Sequence, residues 1–112
     1  MFEILIKTLK TGTVTTKYPQ KPDIAPSGFR GKPELIPDKC TFCGKCTRAC
    51  PPGVIWLTED AREKALTLSV CGCIFCGMCE EVCPVGAIRL TKEYEIASRT
   101  KDALLTIIRR TV

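Results

Sequence analysis

Eight of the nine cysteines in this 112-residue chain fall into two runs of one spacing. Cys40-x2-Cys43-x2-Cys46-x3-Cys50-Pro51 is followed 33 residues later by Cys73-x2-Cys76-x2-Cys79-x3-Cys83-Pro84. Residues 40–58 and 73–91 agree at 11 of 19 positions, which predicts a duplicated half-domain about a pseudo-twofold axis. A repeat array would need three or more copies. A chain this short buries too little apolar surface to be stable with ease and draws on metal, disulfides or a partner. It contains no His, which excludes His-containing zinc sites, Rieske centres and His-dependent triads.

The spacing has a chemical reading. Three cysteines at intervals of three cannot share one face of a regular helix. From a loop entering a helix they can wrap three corners of a four-iron, four-sulfur cube. The fourth, a turn later, points back across the molecule to the other cube, as in two-cluster ferredoxins. The expected ligand sets are therefore Cys40, Cys43, Cys46 and Cys83 for cluster one, and Cys73, Cys76, Cys79 and Cys50 for cluster two, making two 4Fe-4S clusters in all. Gly44 and Gly77 would let backbone approach the clusters and aim amide N–H groups at sulfur. Pro51 and Pro84 would end the short helices and fix φ after the crossing ligand, and Gly53 and Gly86 would turn the chain into the next strand. Phe42, Phe75, Trp56, Ile55 and Ile88 are expected to wrap the clusters. The ninth cysteine, Cys71, fits neither run and is expected to be a small buried strand residue.

Zinc would favour separated Cys-x2-Cys pairs. A disulfide framework would call for an export signal, and Met1–Lys7 has neither a basic n-region nor a long apolar stretch. The formal charge of +5 does not form a nucleic-acid stripe. Residues 1–39 carry seven basic and four acidic groups, 40–90 five of each, and 91–112 five and three. No nucleic-acid partner is expected. No apolar run approaches a membrane span, and no phosphate or dinucleotide loop is present.

The fold class expected is α+β, a bacterial two-cluster ferredoxin-like fold. Phe2, Leu5, Ile6 and Leu9 at helical spacing before Gly12 predict a short amphipathic helix. Tyr18–Pro37 contains five prolines and reads as an extended arm. Val54–Leu57 and Leu66–Val70 read as strands joined by a polar turn, and Ala87–Leu90 as a closing strand. Ala103–Ile108, with Arg109 and Arg110 behind it, reads as a terminal helix. The expected divisions are 1–33, docking helix and arm; 34–91, double-cluster domain; and 92–112, helical docking tail. The domain needs neither extension for its cluster chemistry, so both are expected to dock onto neighbouring subunits.

Thr11–Pro19, Phe29-Arg30-Gly31-Lys32-Pro33-Glu34 and the two cysteine runs together resemble the ferredoxin-like subunit of membrane-bound group 4 NiFe hydrogenases, the formate hydrogenlyase and CO-linked types. That family also includes the TYKY-type subunit of respiratory complex I. The resemblance spans residues 7–97. It implies an electron-transfer, non-catalytic subunit on the cytoplasmic face of the membrane. The implied partners are the hydrogenase small and large subunits, membrane-anchored subunits, and a donor module such as formate dehydrogenase, CO dehydrogenase or ferredoxin. A complex I-type quinone oxidoreductase and a free soluble ferredoxin are the alternatives.

Overall fold

The computed structural model describes residues 1–111. Its elements are α1 (Phe2–Thr11), β1 (Pro33–Leu35), α2 (Lys45–Ala49), β2 (Ile55–Glu59), β3 (Glu63–Ser69), α3 (Met78–Glu81), β4 (Ile88–Leu90) and β5 (Leu105–Thr111). A two-stranded sheet pairs β1 with β4, and a three-stranded sheet runs β2-β3-β5, with every pairing antiparallel.

Strand pairings and turns recur at an offset of 33 residues. Leu35 pairs with Ile88 across β1 and β4, and Leu68 pairs with Ile55 across β3 and β2. Ile36 N–H donates to the Ala87 carbonyl at 2.7 Å, as Ser69 N–H does to that of Val54 at 2.9 Å. A single 3-10 turn, Pro37–Lys39 or Val70–Gly72, leads into each cysteine run. Each sheet thus joins a strand that precedes one cysteine run to a strand that follows the other. Leu35, Ile55, Leu66, Leu68 and Ile88 form the shared core, with Leu68 and Ile88 almost wholly enclosed.

The expected terminal helix is not formed. Beyond a 3-10 turn at Asp102–Leu104, the tail is strand β5, paired with β3 from Ser69↔Leu105 to Glu63↔Thr111. Thr106, Ile107, Ile108 and Thr111 are β-branched and suit a pleated surface better than a helix. Ile108 is buried against the core while Ile107 faces out, the two-residue alternation of a half-covered strand. Val112, the last residue of the expected tail, lies outside the described residues.

At the other end, α1 forms where its spacing places it, but none of its residues is buried: Phe2 is 82% and Leu9 76% exposed. Between Gly12 and Lys32 the chain forms only turns and bends. Its last part is strapped down. Gly31 N–H donates to the Thr91 carbonyl and Lys32 N–H to that of Glu93, both at 2.8 Å, and Thr91 N–H returns a bond to the Lys32 carbonyl at 3.1 Å. The Phe29 ring meets Tyr94 edge-on at 6.2 Å, and the Tyr18 hydroxyl donates to Glu95 Oε1 at 2.9 Å.

Candidate metal centre

The two loop-to-helix entries share unusual backbone angles. Phe42 and Phe75, between the first and second cysteine of each run, sit at φ 54° and 53°. Gly44 and Gly77 follow at φ 69° and 84° and are the N-caps of α2 and α3. Left-handed conformation at a bulky residue costs free energy and persists only where its surroundings impose it. Here it folds Cys-x-Phe-Cys-Gly around a hollow in both halves. Gly53 and Gly86, at φ 66° and 60°, make the turns towards β2 and β4.

Each hollow collects four thiols. One cavity is lined by Cys40, Cys43, Cys46 and Cys83, together with Gly44 and the apolar side chains of Leu35 and Ile88. A second is lined by Cys73, Cys76, Cys79 and Cys50, with Gly77, Ile55 and Leu68. The fourth cysteine of each run therefore reaches the cavity of the other half. α2 ends at Ala49 and α3 at Glu81, so Cys50 and Cys83 leave their helices toward the partner half. Among the described residues no three Cys, Asp or Glu side chains converge on a single metal ion. Four thiols facing one apolar-walled hollow, with no three of them set to converge on a single ion, match the all-cysteine donor set of a multi-iron cube.

Backbone amides reach several of the thiols. Ala87 N–H donates to Cys83 Sγ at 3.2 Å, and Phe75 N–H to Cys73 Sγ at 3.4 Å. A bond from the Lys45 backbone holds the Cys43 thiol below its ordinary pKa. Burial pushes Cys46, Cys73 and Cys79 up, Cys79 to about 11, and neighbouring thiols add to the shift. Such thiols stay protonated at neutral pH until an electropositive centre displaces the protons.

Some expected roles move. Phe75 and Lys45 bond to sulfur from inside the cysteine runs, and Ala87 from four residues past Cys83. Pro51 follows the cap of α2 as expected, whereas Pro84 stands three residues beyond the end of α3. Both prolines are exposed and line neither cavity. Phe42, Ile55 and Ile88 are buried and Phe75 is half-buried, but Trp56 is 43% exposed because β2 turns it to the outer face. Cys71 is not a buried strand residue: β3 ends at Ser69, and Cys71 is exposed in the turn that follows, its Sγ 3.8 Å from the Lys101 carbonyl oxygen.

Two contacts escaped the sequence. Arg30 Nη1 donates to the Cys76 carbonyl at 2.7 Å, and the Arg110 guanidinium lies 5.3 Å from the centre of the Phe42 ring. Both arginines come from extensions and reach a cysteine loop distant in sequence. Only the Phe29–Glu34 motif hinted at the first.

Residues 39–87 match the 4Fe-4S dicluster domain model. This chain carries a 4Fe-4S dicluster domain. It is homologous to formate hydrogenlyase subunit 6 of Escherichia coli, 44% identical over 60 residues, which are 54% of this chain and 33% of that protein. It is also homologous to NADH-quinone oxidoreductase subunit 9 of Rhodothermus marinus, 34% identical over 66 residues, 52% of this chain and 29% of that one. The chain thus spans about a third of the length of these curated relatives. A chain in the structure of the membrane-bound sulfane sulfur reductase, an archaeal respiratory membrane complex, superposes with TM-score 0.68 at 25% identity, covering 88% of this chain and 55% of that one. The fold is accordingly a ferredoxin-like dicluster domain of mixed helix and strand. Among the described residues no helix is long and apolar enough to cross a membrane.

Proposed function

We propose that this chain is an electron-transfer subunit of a membrane-bound NiFe hydrogenase complex, holding two 4Fe-4S clusters in a duplicated half-domain. Cys40, Cys43, Cys46 and Cys83 hold the first, and Cys73, Cys76, Cys79 and Cys50 the second. The observation that carries the reading is the exchange of fourth cysteines, Cys83 lining the first cavity and Cys50 the second. When bound, the clusters would supply one-electron chemistry. The protein supplies thiolates, amide N–H groups that favour negative charge on sulfur, and an apolar wall that excludes water. Gly44 and Gly77 provide the left-handed caps that bring the third cysteine of each run to its cavity, while Pro51 and Pro84 stiffen the chain after the crossing ligand.

Residues 1–33 form the docking arm and 34–91 the cluster domain. Residues 92–112 dock through the outer face of the sheet that β5 completes, in place of the expected helix. The relatives are subunits of formate hydrogenlyase and of NADH-quinone oxidoreductase. By analogy the partners are the hydrogenase small and large subunits and membrane-anchored subunits, on the cytoplasmic face. The donor is a formate dehydrogenase, CO dehydrogenase or ferredoxin. A second reading places the chain in a respiratory complex of another kind, quinone- or sulfur-reducing. It is favoured by the structural match, which covers 88% of the chain against 54% for the formate hydrogenlyase relative.

Purification of the native complex from membranes tests both. A co-purifying large subunit with four NiFe-binding cysteines supports the hydrogenase reading, and one without them supports the second. Recovery of the chain only as a free soluble species overturns both.

A further inference from the structure

We infer that Arg30 is a positioning residue for the second cluster, holding the Cys76–Gly77 peptide from outside the repeat and raising that cluster's reduction potential. The inference rests on the proposed ligation of that cluster by Cys73, Cys76, Cys79 and Cys50.

The two halves are alike enough for their differences to be informative. A Cβ built on Gly44 would lie 3.6 Å from Thr47 Oγ1 and 3.8 Å from Leu57. One built on Gly77 would lie 3.5 Å from Leu90, the counterpart of Leu57, and 3.5 Å from Arg30 Cζ and Nε. The guanidinium therefore lies over the second loop where the first has a threonine hydroxyl. It also donates to the Cys76 carbonyl at 2.7 Å, the far end of the peptide whose N–H belongs to Gly77.

The charges carried by the two runs differ in the same places. Lys45 lines the first cavity, and its counterpart in the second run is Met78. Thr47 and Arg48 on α2 are replaced by Glu80 and Glu81 on α3. The second run has thus lost two cations and gained two anions. Arg30 is the guanidinium that the arm brings back. Its neighbours hold it in place: Phe29 packs edge-on against Tyr94, and Gly31 is bonded to the Thr91 carbonyl at 2.8 Å.

The sign follows from electrostatics. Reduction adds one negative charge to the cluster, and a nearby fixed cation stabilises the reduced form more than the oxidised. A hydrogen bond to a carbonyl also polarises that peptide and strengthens its N–H as a donor. Both effects favour reduction.

The test is an EPR-monitored redox titration of the full chain, reconstituted anaerobically, with Arg30→Gln, Arg30→Lys and a charge-matched control, Lys7→Gln on α1. Cys50→Ser identifies which signal belongs to the second cluster. The expected result for Arg30→Gln is both signals present and an equilibrium constant for reducing the second cluster about tenfold lower, 59 mV for a one-electron couple. The first cluster should not shift, Arg30→Lys should recover most of the change, and Lys7→Gln should produce none. No shift, or an equal shift of both clusters, overturns the inference. Loss of the second signal from Arg30→Gln would assign the residue to assembly and overturns it too. An unmodified chain without a second cluster would instead refute the ligation scheme beneath it.

Discussion

Replacing Gly31 by Ala should release the strap between the arm and the domain. A Cβ there would lie 2.7 Å from the Thr91 carbonyl oxygen and closer still to that of Glu93. Both obstacles are backbone, so no side-chain rotation relieves them. The strands must separate, and the same stretch holds Gly31 N–H to Thr91, Lys32 N–H to Glu93, Thr91 N–H to Lys32 and the Thr91 hydroxyl to the Lys32 carbonyl. Losing two of these bonds at about 0.5–1.5 kcal/mol each, with about 1 kcal/mol of residual overpacking, gives a cost of about 2–4 kcal/mol. For a domain near 100 residues each kcal/mol moves the midpoint by about 4–8 °C. The assay is thermal unfolding of the holo-chain by far-UV circular dichroism, with limited proteolysis across residues 18–32. The expected result is a fall of at least about 8 °C and faster cleavage of the arm. Gly12→Ala is the comparison: that glycine has φ 61° but nothing within 4 Å of a built Cβ, so the domain's midpoint should hold. An unchanged midpoint together with unchanged protection in Gly31→Ala would refute the reasoning.

Cys50→Ser should alter the EPR signal of the cluster built on Cys73, Cys76 and Cys79, and Cys83→Ser that of the other. Signals altered within each mutant's own repeat would reject the crossed ligation. Ile108→Ala should destabilise the domain by about 2–4 kcal/mol in a denaturation series, since Ile108 is buried opposite Leu66. A change below about 0.5 kcal/mol would mean that β5 is not part of the core. In the metal-free chain the Cys79 thiol is raised from 9.0 to about 11, so the folded state keeps a proton that the unfolded state releases. The chain's stability should then fall as pH rises from about 9 to 11, with about 3 kcal/mol of that fall from Cys79, and a rise across that window would contradict the burial. Removing residues 1–16, which include α1, should leave both clusters spectroscopically intact but lose the chain from the membrane complex proposed above. Retention in the complex would show that α1 is not the docking element.

What was legible in the sequence depended on how local the information was. The cysteine spacing is local information, since a loop and one helical turn determine where a thiol can reach; in the structure Cys83 lines the hollow of the first run and Cys50 that of the second. The α1 periodicity and the β2–β3 hairpin were equally local. The tail was misread because Ala103–Ile108 is an apolar run compatible with helix or strand. The choice is made by the free edge of β3, some 40 residues earlier, which Leu105–Thr111 completes. β1 is three residues long and exists only because Pro33, Glu34 and Leu35 meet Leu90, Arg89 and Ile88. Trp56 was assigned to the cluster wall by its hydrophobicity, but its place in β2, between inward-facing Ile55 and Leu57, sends it outward. Cys71 was read as a strand residue because it directly follows the apolar run Leu66–Val70, but β3 ends at Ser69 and Val70–Gly72 form a 3-10 turn. The contact of Arg30 with the Cys76 loop depends on a strap folded across 46 positions of sequence and could not be read from either segment alone.

Iron and acid-labile sulfide analysis of the anaerobically reconstituted chain, with EPR of the reduced protein, tests the central claim most directly. Two cubes on crossed thiol sets predict about eight irons and eight sulfides per chain, with two reduced-cluster signals broadened by each other. Zinc in place of iron, or about four irons with a single unbroadened signal, would contradict it.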